Sequence, residues 1–262
     1  MNLLDKYGEW ACVVGAAQGL GFAFANDLAK RGFNLILIDI DIQKLDQACT
    51  LMQSKYNSKT SRLHLDLEQR GSASIIADEI KKRDCRLMVY NAAFGPVKPF
   101  IYNSTSELNR YIAVNIDTQL HLIYQFINLG ITKPAGIMMI SSLAGFRGTQ
   151  YVIPYAATKA FIWNMAEGLH YEFENTGLDI SVCIAGATDT PNFRSTNPKK
   201  SYFSPKARDP HLVAEESLNK FGKQLFIVPG LENKISHFLL NRILPRRIAS
   251  RMHNYVMRKM YG

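Results

Sequence analysis

The chain has 262 residues, 47% hydrophobic and 20% charged, with 31 Lys+Arg against 22 Asp+Glu for a formal net charge of +9. That length suits one large α/β domain or two small ones around a sizeable core, and the apolar content argues against wholesale disorder. The four cysteines, at 12, 49, 85 and 183, form no CxxC pair and no metal-ligand spacing, so a zinc module or disulfide framework is not expected, and they read as buried thiols of a reducing compartment.

In chain order, the first residues carry Asp5 and Glu9 and no apolar secretory core, and no run of 18 apolar residues follows. A cytoplasmic protein without a membrane-spanning helix is therefore expected. Short apolar runs at Ala11–Val14, Asn34–Ile38, Arg62–Leu65, Leu87–Tyr90, Ile137–Ile140, Ile180–Ile184 and Leu225–Val228 read as strands buried on both faces of a parallel sheet. Helix-length stretches at 19–31, 41–57, 69–83, 104–130, 154–176 and 209–223 separate them. This β-α-β alternation predicts a Rossmann-type doubly wound α/β sheet of about seven strands with helices on both faces. Without an internal repeat or a Gly/Ser linker, the chain reads as one domain, 1–232, and a tail, 233–262.

In the tail, Ile235, Phe238, Leu239, Ile243 and Leu244 predict a short helix ended by Pro245. Beyond it, Ile248, Met252, Tyr255 and Val256 form an apolar stripe opposite Arg247, Arg251, Asn254 and Arg258, which predicts a basic amphipathic helix. The charge is concentrated here. Seven cations and no anion follow Glu232, and five more (Arg194, Lys199, Lys200, Lys206, Arg208) lie in an acid-free stretch between Asp189 and Asp209. The remaining body carries −3. With the cations segregated and no recognised motif in the body, nucleic acid is not an expected partner.

After the first strand comes Gly15-Ala-Ala-Gln18-Gly19-Leu20-Gly21, then a helical segment. Glycines let the backbone approach a pyrophosphate, and a helix N-terminus supplies N–H donors. A plain glycine turn between strand and helix would look the same. Asp39 ends the second strand, 18 residues after Gly21, where an acid would bond the adenosine ribose hydroxyls. Its charge would repel a 2′-phosphate, and no cation stands beside it, so NAD is expected over NADP. A solvated acid at a strand end is the plainer reading. Asp66, with Leu67 after it, either serves the adenine or caps the next helix.

Tyr155-Ala-Ala-Thr-Lys159 places a phenol and an ammonium four apart, on one face of a helix. An ammonium favours the phenolate and makes tyrosine a usable acid/base. Ser142 closes the fifth strand 13 residues earlier, Asn91-Ala92-Ala93 closes the fourth, and Asn115 lies in the helix that follows. Taken singly, Asn115 is an ordinary polar helix residue and Ser142 an ordinary cap.

As an ordered set, these motifs resemble the short-chain dehydrogenase/reductase superfamily over roughly residues 8–230. The glycine motif departs from the family's pattern at Val14, the NNAG-like Tyr90–Ala93 at Ala93, and Ala185-Gly186-Ala187-Thr188-Asp189-Thr190 at Ala185. The resemblance implies that Tyr155 exchanges a proton with the substrate oxygen. Lys159 would bind the nicotinamide ribose and depress the Tyr155 pKa, Ser142 would hold the substrate oxygen, and Asn115 would support a water-linked relay. Gly186, Thr188 and Thr190 would hold the carboxamide. It also implies a homodimer or homotetramer. Phe94, Leu143, Phe146, Ile153 and Phe193 are expected on the substrate side.

The expected reaction is interconversion of a secondary alcohol and a ketone, with a weak lean to oxidation. A catalytically idle NAD-binding regulator or scaffold on the same fold is the alternative. The loop 191–210 is either a solvated basic loop or a receptor for an acidic substrate handle. The tail either packs on a partner subunit, lies at a membrane surface or covers the substrate mouth.

Overall fold

The computed structural model describes residues 2–130, 134–199 and 204–262. Seven strands, β1 (Trp10–Val14), β2 (Asn34–Asp39), β3 (Thr60–His64), β4 (Leu87–Tyr90), β5 (Ala135–Ser142), β6 (Leu178–Ala185) and β7 (Phe226–Ile227), form one sheet in the order β3-β2-β1-β4-β5-β6-β7. Every pairing is parallel. All seven fall on the runs picked from the sequence. The strands lack alternation because both faces are buried. Along β1, Ala11 and Val13 enter one apolar cluster, while Cys12 and Val14 enter the other.

Three long helices cover the first face: α2 (Gly19–Lys30), α3 (Ile42–Tyr56) and α9 (Pro210–Lys220). Three others cover the second: α4 (Ser72–Lys82), α6 (Thr118–Ile127) and α7 (Ile153–Glu172). The predicted helix 104–130 is interrupted. It runs as α5 (Thr105–Ile112), a π-helical turn at Ala113–Asp117, and then α6. Two five-residue helices, α1 (Leu3–Tyr7) and α8 (Pro191–Ser195), are too short to show a period in the sequence. Tyr7 anchors the first, fully buried, with its hydroxyl donating to Asp179 Oδ2 at 2.6 Å.

The tail folds as α10 (Leu231–Phe238), a π-helical turn at Leu239–Ile243 and α11 (Arg246–Tyr261). Pro245 separates the two helices, as expected. The inward face of α11 differs from the predicted stripe. Ala249 and Met260 are buried, whereas Ile248 and Tyr255 face out. Asn254, placed on the outer face by sequence, turns inward: its Oδ1 accepts from Gln150 N at 2.8 Å and its Nδ2 donates to Gly148 O at 2.9 Å. The inward line 249, 253, 256, 260 contains a histidine, so a hydrophobic pattern alone did not mark it.

The sheet order reverses between β1 and β4, and the glycine loop lies at that crevice. Gly15 has φ +78°, and a Cβ there would come within 2.7 Å of Ala92 Cα. At Gly21, a Cβ would strike the Gly15 carbonyl and come within 2.5 Å of Asn91 Nδ2, the amide that donates to Gly15 O at 2.9 Å. Both clashes are with a strapped backbone that cannot shift easily. Gly21→Ala is therefore expected to destabilise the fold by about 1–3 kcal/mol, read as a lower urea midpoint, while Gly71→Ala, which has no neighbour within 4 Å but sits at φ +85°, loses only its backbone term.

Candidate active site

At the carboxyl ends of the strands lies one cavity of about 850 Å³. Of the site residues expected from the sequence, all but Gly21, Asn115 and Ile153 line it. Gly21 lies just behind Gly15. Ile153 opens α7 with its side chain 46% exposed, outside the cavity wall, because the phase that carries Tyr155 inward turns Ile153 out.

Asn115 is fully buried in the π-helical turn. Its Oδ1 accepts from Phe94 N at 2.7 Å, and its Nδ2 donates to Phe94 O at 2.8 Å and Thr158 Oγ1 at 3.0 Å. The side chain thus pins the segment after β4 to the helix turn that carries Lys159.

Ser142, Tyr155 and Lys159 share one wall. Pro154 in the first turn of α7 suits the helix start and holds Tyr155 just inside it. Lys159 is buried, with Nζ donating to Ile140 O at 2.8 Å and lying 5.4 Å from the centre of the Tyr155 ring. Burial lowers the Lys159 ammonium from its ordinary 10.5 to about 8. Burial also pushes the Tyr155 phenol above its ordinary 10.0, and hydrogen bonding with Ser142 only partly opposes this. Desolvation sets the direction at Tyr155, and the Ser142 hydrogen bond opposes it.

At the other end, Asp39 lines the cavity, its Oδ2 accepting from Ala17 N at 2.9 Å and its Oδ1 from Asp41 N at 3.1 Å. These two bonds orient the carboxylate beside the glycine loop. Asp66 also lines the cavity, but its Oδ1 accepts from Glu68 N at 3.0 Å, so it shapes a turn and does not cap α4. The close approach at Gly15, the N-terminus of α2 and the Asp39 carboxylate together fit a dinucleotide.

Covering the substrate mouth was one of three readings of the tail, but the sequence named none of the tail residues in the wall, which include Asn233, His237, Leu240, Met257 and His253. Arg147 holds the tail in place, donating to the carbonyl of Leu240, to Asn241 Oδ1 at 3.0 Å and to Arg246 O at 3.4 Å. His253 meets Thr149 Oγ1 at 3.1 Å, and the His237 ring lies 4.5 Å from that of Phe146. The basic loop closes against the end of α11, where Lys199 Nζ donates to Gly262 O at 2.7 Å. Arg194 pairs with Asp189 at 2.7 Å and Arg208 with Glu216 at 3.4 Å. Among the described residues, the cations lining the cavity are Arg110, Arg147 and Lys159, none from that loop. Lys200 lies outside the described residues.

A family model described as short chain dehydrogenase matches residues 9–201. A 7beta-hydroxysteroid dehydrogenase of Collinsella aerofaciens is 29% identical over 243 residues, 90% of this chain and 91% of that protein. A solved structure from a study of 7beta-hydroxysteroid dehydrogenase stereoselectivity superposes with a TM-score of 0.86 at 26% identity, covering 97% of this chain and 99% of the other. Two more distant structures share the fold: a Sphingobium yanoikuyae short-chain dehydrogenase with NADPH (TM-score 0.77, 20% identity, covering 90% of this chain and 96% of that one). The other is a Burkholderia phymatum short-chain dehydrogenase/reductase with NAD (0.73, 18%, covering 85% and 89%).

Burial of Lys159 has a measurable consequence. With the ammonium at about 8 in the folded chain and 10.5 unfolded, only the unfolded chain holds the proton between those values. Stability from this group therefore rises with pH across that window, by ~3 kcal/mol in order of magnitude. Lys159→Met should exceed the wild type in unfolding free energy most at pH 7.5, with the gap shrinking by pH 10. A gap that stays constant would contradict the assignment.

Proposed function

The chain belongs to the short-chain dehydrogenase family, and from that footing we propose that it interconverts a secondary alcohol and a ketone on a bulky apolar substrate of the hydroxysteroid kind, with NAD preferred. The observation that carries this reading is the shared wall of Ser142, Tyr155 and Lys159, facing an otherwise largely apolar enclosure that includes Phe94, Leu143, Phe146 and Phe193. The named activity of the Collinsella relative supports the substrate class. Residues 1–232 act as the catalytic body and 233–262 as its cover.

Gly15, Gln18, Gly19 and Leu20 would hold the pyrophosphate, Asp39 the adenosine ribose, Asn91 and Lys159 the nicotinamide ribose side, and Gly186 to Thr190 the carboxamide. When bound, the dinucleotide supplies the hydride acceptor or donor. Tyr155 handles the proton: its hydroxyl gives a proton to a ketone oxygen, or as phenolate takes one from an alcohol. Ser142 orients that oxygen by a hydrogen bond. Lys159 carries charge next to the proton-exchanging group. Asn115 acts as a positioning residue by fixing Phe94 and the Thr158–Lys159 turn. NAD is favoured because Asp39 occupies the ribose end, and a carboxylate there opposes a 2′-phosphate. The basic loop reads as solvated structure, since three of its cations are engaged outside the cavity. The exposed apolar residues Ile112, Leu120, Tyr124 and Tyr171 on α5, α6 and α7 favour a homodimer or homotetramer.

Tyr155→Phe should lower kcat for both directions by about 10²–10⁴ while dinucleotide binding, read by quenching of protein fluorescence, is retained. In the wild type, burial of the phenol should keep ketone reduction active at neutral pH and make alcohol oxidation climb through the alkaline range. An oxidation rate flat from pH 7 to 10 would contradict this. Asp39→Ala should raise the NADP-to-NAD ratio of kcat/KM at least tenfold, and an unchanged ratio would remove Asp39 from the ribose site.

A further inference from the structure

The outer surface of the tail is both apolar and basic. Leu231, Ile235, Phe238, Ile243 and Ile248 are 50% to 70% exposed. On α10 and the turn after it they recur at helical spacing, so they form one strip. Around them lie Arg242, Arg246, Arg247, Arg251, Arg258 and Lys259, all exposed, and no acidic residue follows Glu232. On α11 the exposed Ile248 and Met252 stand four apart between Arg247, Arg251 and Lys259. The strip also reaches the active site: Leu239 and Met252 line the cavity and are 45% and 51% exposed.

We propose that this face docks the enzyme on an anionic lipid bilayer, with the cavity mouth set at the membrane surface so that an apolar alcohol or ketone passes between lipid and active site. Charge complementarity selects the partner. Each Arg or Lys near an anionic leaflet adds attraction, and apolar side chains on the same face enter the headgroup boundary. A nucleic acid would leave Ile235, Phe238, Ile243 and Ile248 in water. A second copy seated on this face across a twofold axis would oppose two sets of uncompensated cations. The inward face of α11 stays committed to the protein through His253 and Asn254, so docking needs no unfolding of the cover. The delivery of substrate rests on the oxidoreductase reading, whereas the docking does not.

The full chain should co-sediment with phosphatidylcholine vesicles containing phosphatidylserine, and bind phosphatidylcholine alone far less, with binding falling as salt rises. Arg247→Glu with Arg251→Glu, at exposed residues that do not line the cavity, should weaken binding to the anionic vesicles by at least about 30-fold. Phe238→Ser with Ile248→Ser should weaken it with the cations intact. Both double variants should keep the wild-type melting temperature, sedimentation coefficient and activity on a water-soluble secondary alcohol, and lose rate on a vesicle-partitioned one. Equal binding to neutral and anionic vesicles, or full binding by the Glu variant, overturns the proposal. So does a smaller oligomer in either variant, which would make the strip a subunit interface. Vesicle binding by a chain inactive on every alcohol would sustain the docking and fail the oxidoreductase reading instead.

Discussion

A sheet buried on both faces has few places for polar chemistry. In this chain apolar side chains cover both faces from β1 to β6, so the groups able to handle protons, hydroxyls and phosphates collect where the ladder ends. Gly15 follows β1, Asp39 ends β2, Asn91 follows β4, Ser142 ends β5 and Gly186 follows β6. The reversal of strand order between β1 and β4 opens the crevice, and parallel pairing puts all of these ends on the same side. The oxidoreductase chemistry of this short-chain dehydrogenase depends on that alignment.

Desolvation then sets the character of the groups gathered there. Lys159 is buried, its ammonium donating to the Ile140 carbonyl and meeting little water, and its pKa falls. Tyr155 on the same wall is raised by the same loss of water. Sequence spacing suggests that the lysine lowers the tyrosine, but burial acts on both and favours the neutral form of each. The outcome favours a phenol that keeps its proton at neutral pH.

Arg147 does for the tail what strand pairing does for the body. Its guanidinium reaches the carbonyls of Leu240 and Arg246 on either side of Pro245, and so straps the π-helical turn to the start of α11. With Asn254 and His253 bonded to the 148–150 segment, the tail becomes a wall of the cavity. The price of this packing is an outer surface on which large aliphatic residues and cations remain in water.

All seven strands and the main helices were legible in the residues, because burial on both faces imposes unbroken apolar runs and because Gly15, Asp39, Ser142, Tyr155 and Lys159 keep their order along the chain. That order already carried the family and its chemistry. Local pattern could not reach the orientation of α11: hydrophobicity chose Ile248 and Tyr255 for the inner face, but the packing turned His253 inward to the Thr149 hydroxyl and Asn254 to backbone groups at 148 and 150, over a hundred residues away. Nor could it show Asn115 leaving the cavity to bind Phe94 and Thr158, Ile153 turning to solvent, or the direction of the Tyr155 shift. Strand propensity and motif order are properties of neighbouring residues. Helix phase, hydrogen-bond partnership and desolvation depend on what distant segments bring into contact, and only the folded chain brings them there.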